Sequence, residues 1–410
     1  MTLTIPAPVE SPSRTGTSAI RLRGVDAARG IALIGMMAVH VLPDATVDGD
    51  PTWSFTLFGG RASALFATLA GVSIALITRR RRVRLADGAG TAAGLAARAG
   101  VVAVIGLLLG YTDPALATVI LPYYAVMFLA TIPLVFLPTW AVALTGLGFV
   151  AGAPVATHLL LDRLPDSTGD NFGFTDLITR PVQLLSEITV TGEFPALTWM
   201  AYLCAGLVIG RLTLTRLRTA VALTAIGITI AVAAHILSLE LLGTYHGIDH
   251  ILAAQPGSGR TLDETQELLD FGADGTVPNS TWWWLAVDLP HTGAPLDLLT
   301  TIGAAYAVIG AMLLAEHLSA KRVVEAIQVP LAAAGRITLT LYTVHLVFIN
   351  SDYDRYSRPV SFVIQTAAVL FLGLAWTTTA GRGPLESLVT TAAQRASAAV
   401  RRTRSSEPAS

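Results

Sequence analysis

Ten runs of predominantly apolar residues recur along the chain, near 26–43, 57–78, 95–111, 116–137, 140–161, 195–213, 219–242, 296–316, 331–349 and 360–379. At roughly 17 to 25 residues, each suffices to cross about 30 Å of hydrocarbon as an α-helix. Composition points the same way. The 410 residues are 53% hydrophobic and 13% charged, whereas a soluble domain carries about 25% charged residues. That deficit excludes a water-soluble enzyme of this size, a disordered or fibrous chain and a disulfide-stapled secreted domain. The expected fold is all-α: a polytopic integral membrane protein with about ten transmembrane helices. Pro114 and Pro122 make the third and fourth runs the place for a broken helix.

Basic residues set the orientation. With the N-terminus inside, nineteen of the 27 Lys and Arg residues fall in inner segments and five in outer ones, as the positive-inside bias demands. The chain is read as N-in and C-in, in a cell membrane whose lipids are its first partners. Residues 1–24, rich in Pro, Ser and Thr and without an apolar signal segment, read as a disordered cytoplasmic tail. Residues 25–380 form the transmembrane domain, and 381–410 a cytoplasmic helix and tail. In that last segment Leu385, Leu388, Val389, Ala392, Ala393 and Ala396 recur at helical spacing opposite arginines, as in an interfacial helix. A net charge of −1 gives no reason to expect a nucleic-acid partner, and the single cysteine, Cys204, forms no internal disulfide. A homodimer is one assembly open to such a chain.

Two outer loops, 162–194 and 243–295, hold most of the acids, among them Asp263, Glu264, Glu267, Asp270 and Asp274. Three consecutive tryptophans, Trp282 to Trp284, read either as an interfacial belt or as a stacking platform for a sugar ring or lipid tail.

Ionisable groups inside apolar runs cost roughly 2.5 to 3.5 kcal/mol each by insertion scales and point to function. Here they fall in two depth layers. In the first run Arg29 and His40 stand eleven positions apart. At 100° per residue they share a face to within about 20°, some 16 Å apart along the axis. Asp26 lies one turn before Arg29 and Asp44 about one turn past His40. An ion pair at the helix entry accounts for Asp26 and Arg29 alone, but a whole stripe of such groups does not face lipid. Arg61 opens the second run at the depth of His40, as a snorkelling charge or a site residue. In the ninth run Arg336 lies near the inner face, with Tyr342 and His345 near the outer. His291 and Asp297 flank the start of the eighth and join the outer layer. His246 and His250 are four apart, yet no HxH or HExxH spacing supports a metal site, and none is expected. Walker, GxGxxG-plus-acid and GxSxG patterns are absent.

The block RGVDAARGIALIGMMAVH, followed by LFGGRASALFATLAGVSIAL, resembles the opening of membrane acyltransferases related to heparan-α-glucosaminide N-acetyltransferase and the bacterial YeiB-like proteins. GEFPALTWMAYLCAGLVIGRL, AAGRITLTLYTVHLVF and RGPLESL look like later blocks of the YeiB-like branch. The resemblance spans roughly residues 21–390. Arg29 and His40, with ten residues between them, also match the Arg-x₁₀-His signature of the related acyltransferase type 3 family. The resemblance implies transfer of an acyl group, usually acetyl, from cytosolic acyl-CoA to an extracytoplasmic glycan or glycolipid of the cell envelope, without a metal.

It also implies roles. The type 3 signature makes His40 the catalytic base. The heparan enzyme has asparagine at this position and takes its histidine from the loop after the first span; here loop 44–56 has none. His345 and His291 are therefore the alternative bases. Asp44 or Asp297 would orient the ring, and Arg61 or Tyr342 would hold the oxyanion. On the inner side Asp26, Arg29, Arg336, Arg79 and Arg80 would meet the donor and its phosphates. The rival reading is a proton-coupled small-molecule or lipid transporter, since intramembrane His, Arg and Asp also build proton relays.

Overall fold

The computed structural model describes residues 22–318 and 320–405. Its helices are α1 (Arg23–Val41), α2 (Trp53–Phe58), α3 (Arg61–Ile77), α4 (Leu85–Leu109), α5 (Leu121–Thr131), α6 (Thr139–Leu160), α7 (Phe174–Thr179), α8 (Pro181–Ser186) and α9 (Ala196–Gly210). They continue as α10 (Leu217–Leu239), α11 (Gly247–Ala254), α12 (Leu262–Phe271), α13 (Pro295–Ala315), α14 (Lys321–Arg336), α15 (Thr338–Ile349), α16 (Arg358–Thr379) and α17 (Pro384–Ser405). Among the described residues, strand-like pairing is limited to one bridge between Ala45 and Pro51. The all-α membrane class is as expected.

Seven segments of the described residues are long and apolar enough to span a bilayer, and nine are if each of two bent pairs counts as one. One pair is Pro181–Thr191 with α9, bent by 49°; the other is α14 with α15, bent by 80°. The run at 116–137 forms the shorter α5 and a tight turn at Pro133–Phe136. Most of the expected 1–24 tail lies outside the described residues, and the chain is already helical at Arg23.

Helix α1 holds the middle of the bundle. Lipid supplies no hydrophobic drive between helices, so close backbone approach at small residues does the joining. A methyl group on Gly30 would strike the Leu331 carbonyl of α14, and one on Gly335 the Asp26 carbonyl of α1. Gly24 sits likewise against Met312 of α13, and Gly35 against Phe58 and Ala62. The polar stripe of α1 therefore meets protein. Pro43 ends the helix, with Leu42 extended and its N–H still bonded to Ala38 at 2.9 Å.

At the other end of the chain, α17 lies along α4, where Gly90 and Gly94 admit Arg401, Ser397 and Ala393. Glu386 anchors its first turn by accepting hydrogen bonds from the Thr340 N–H at 3.1 Å and hydroxyl at 2.6 Å. The tryptophan triplet packs against its own loop and the end of α6. Trp284 is buried, Trp283 stacks on His250 with centroids 5.2 Å apart, and Trp282 lies on His158 at 4.2 Å.

Candidate active site

Two cavities back onto each other along α1. The first, about 310 Å³, is lined by His40 and Asp44 together with Glu193, His291, Tyr342 and Arg358. The second, about 260 Å³, is lined by Arg29, Arg98, Arg336 and Glu386 and by apolar side chains such as Phe66, Leu69 and Val102. Ile120 faces the first cavity and its neighbour Leu121 the second; Tyr342 faces the first and Leu339, one turn earlier on α15, the second. Ile120, Leu121 and one turn of α15 thus lie between the two cavities.

His40 and His345 meet at the first cavity. His40 Nδ1 lies 3.0 Å from His345 Nε2, and the rings are 7° from parallel. His345 Nδ1 is 2.6 Å from Gln365 Oε1, Gln365 Nε2 donates to Ser361 Oγ at 2.8 Å, and Ser361 donates to Asp354 Oδ1 at 2.6 Å. Proton positions follow from the far end. A carboxylate only accepts, so Ser361 must donate to it and accept from the Gln365 amide. That turns the amide carbonyl toward His345, which must carry its proton on Nδ1 and present Nε2 as a lone pair. His40 then donates from Nδ1, leaving its own Nε2 as the acceptor on a ring that borders the cavity. The chain orients His40 without conducting a proton, because an amide oxygen does not take one up at neutral pH.

The first cavity gathers His40, Asp44, His291 and Tyr342, with His345 directly behind His40. Tyr342 accepts from the Ile120 N–H at 3.4 Å, which leaves its own proton to donate. His291 sits in a left-handed backbone conformation at φ 55°, among Phe194 and Trp199. Burial pushes its imidazole down to about 4, so it is neutral at pH 7. Burial pushes the Asp44 carboxyl up, with Arg358 pulling in the opposite direction.

Three placements differ from the expected ones. The group hydrogen-bonded to the His40 ring is His345, where Asp44 or Asp297 was expected. Asp297 is buried behind the His291 loop, accepting from the Gly293 N–H at 3.0 Å, and so holds that loop. Arg61 borders neither cavity; its guanidinium donates to the Thr56 carbonyl and ties α3 back to α2.

In the second layer, Arg29 pairs with the buried Asp26 and donates to Ser73 at 2.9 Å. Arg336 donates to the Gly381 carbonyl at 3.5 Å. Arg79 and Arg80 adopt φ of 56° and 60° in the turn after α3, outside the second cavity. Arg98 of α4 does line that cavity.

Reading the sequence for ionisable groups missed Gln365 and Ser361, although two polar residues four apart in an apolar run carry a visible signal. It also missed Glu193, which accepts from Thr118 in the break before α9, and the anchor Glu386. Among the described residues no three His, Cys, Asp or Glu side chains converge as a metal site.

Beyond the first cavity, and sharing Asp44, Glu193 and His291 with it, opens a vestibule of about 550 Å³. Its lining adds Glu264, Glu267 and Asp274 against one cation, Arg260.

No curated protein matches the chain. A family model, described as heparan-alpha-glucosaminide N-acetyltransferase, catalytic, matches residues 21–244. The match takes in α1, the Arg29-to-His40 stripe and Glu193, and ends at the start of the long acidic loop.

Proposed function

Because the chain belongs to the heparan-α-glucosaminide N-acetyltransferase catalytic family, a family of membrane acetyltransferases, we propose that it moves an acetyl group from acyl-CoA on one face of the membrane to an amine-bearing sugar or glycolipid of the cell envelope on the other. The observation that carries this reading is the directed hydrogen-bond chain ending in His40, which presents a neutral Nε2 to a cavity set against a second one with arginines at its rim.

The second cavity suits the thioester arm of the donor. Apolar side chains make up much of its lining, and Arg29, Arg98 and Arg336 outnumber its one carboxylate, Glu386. The acceptor enters by the vestibule, whose carboxylates favour a cationic sugar over a neutral or anionic one. At the junction the acceptor nitrogen, as the free amine, attacks the thioester carbonyl while His40 Nε2 takes its proton. Tyr342 donates to the carbonyl oxygen as it gains charge. The C–N bond forms, the C–S bond breaks, and His40 returns the proton to the departing sulfur. His345, held by Gln365, Ser361 and Asp354, keeps the imidazole in the required tautomer throughout.

The test is acetyl transfer from radiolabelled acetyl-CoA to glucosamine or an envelope extract by purified protein. His40→Ala should lower kcat by about 10²–10⁴-fold. Unchanged turnover in that variant removes the base assignment. Label-free, donor-independent movement of solute in vesicles would instead make the protein a transporter.

A further inference from the structure

A third cavity, about 590 Å³, runs between α4 and α17. It adjoins the Arg29 cavity, since Ile77, Arg98 and Thr390 line both. Its remaining charges are Arg401 and Arg402, and among the described residues its lining holds no carboxylate. The volume lies within the range of about 300–1,000 Å³ for small-molecule sites.

Helix α17 is built for this position. Glu386 pins its first turn to α15, and about three and four turns later Ser397 and Arg401 lie on one face against α4. Gly90 lets them approach, because a methyl there would stand 3.0 Å from Arg401 Nε and 3.3 Å from Ser397 Oγ. In the neighbouring cavity the Arg29 charge is already met by Asp26. Arginines lining a groove with no carboxylate among its described lining residues suit phosphate oxygens, which accept paired N–H donors in fork geometry.

We infer that the α4–α17 groove binds the phosphate-bearing nucleotide end of the acyl donor, with Arg98, Arg401 and Arg402 as its ligands and the thioester arm continuing into the Arg29 cavity. This rests on the acyl-CoA reading given above. A membrane lipid headgroup offers the same phosphate chemistry, but the groove adjoins the Arg29 cavity, sharing Arg98 and Thr390 with it, which favours the donor.

Two measurements in neutral phosphatidylcholine nanodiscs decide it. Steady-state rates with acetyl-CoA are compared with those for S-acetyl-pantetheine, which lacks phosphates, in wild type and in Arg401→Ala/Arg402→Ala. The KM for acetyl-CoA should rise about tenfold or more, as for losing charged hydrogen bonds, with kcat and the KM for acetyl-pantetheine unchanged. Calorimetry with adenosine 3′,5′-bisphosphate should give binding to wild type and at least tenfold weaker binding to the variant. Equal effects on both donors, or no nucleotide binding, overturn the groove assignment and leave acetyl transfer standing. Nucleotide binding lost in the variant, without wild-type turnover, supports the groove and counts against the acetyltransferase reading.

Discussion

At His40 the decisive quantity is which nitrogen holds the proton, and that is set four side chains away by Asp354. His345→Gln offers a carbonyl oxygen to the His40 Nδ1–H, whereas His345→Leu offers nothing. The glutamine variant should therefore retain more kcat than the leucine variant, by about tenfold for one lost buried hydrogen bond, in the labelled-acetyl assay. Equal losses would mean that His345 serves only as packing. His291 governs a different observable. Its folded imidazole is held near 4, against an ordinary value of 6.5. Between those values the unfolded chain binds a proton that the folded one does not, so its contribution to stability is present above 6.5 and lost as pH falls toward 4. The melting temperature in detergent should drop across that window, and His291→Gln should flatten the drop. An unchanged slope would contradict the burial argument. The ionisable members of the site, His40, His291 and His345, were open to sequence reading because charge inside an apolar run is conspicuous. Gln365 and Ser361 were not sought, and nothing in sequence spacing says that Arg61 turns back to Thr56.

Helix packing supplies the frame that holds those rings within hydrogen-bond reach. Gly30 and Gly335 lock α1 against α14 backbone to backbone. Gly335→Val should cost about 1–3 kcal/mol by overpacking, read as a lower unfolding midpoint in detergent, and should also reduce acetyl transfer by shifting α15 and His345. Full stability in that variant would show that the contact is loose. Most helices were foreseeable from hydropathy, since an apolar run of sufficient length has few other folds in lipid. The 80° bend at Ile337 was not, because a hydropathy window records length and is blind to continuity. The bend turns α15 away from α14, and α15 carries both His345 and Tyr342. α17, read from its spacing as a helix on the lipid surface, packs along α4 through glycines of that helix.

Taken as one body, the protein sets a cavity lined by three arginines and one carboxylate behind Ile120, Leu121 and a turn of α15, and a carboxylate-rich entry beyond the His40 cavity. That charge asymmetry suits the proposed pair of substrates, of opposite sign and with separate entrances. The most direct test uses proteoliposomes of sorted orientation, with radiolabelled acetyl-CoA on the α17 side and glucosamine on both sides, each compartment assayed for N-acetylglucosamine. Product confined to the compartment opposite the donor, and abolished by His40→Ala, is the predicted result. Product on the donor's own side, or transfer that survives loss of His40, contradicts the account.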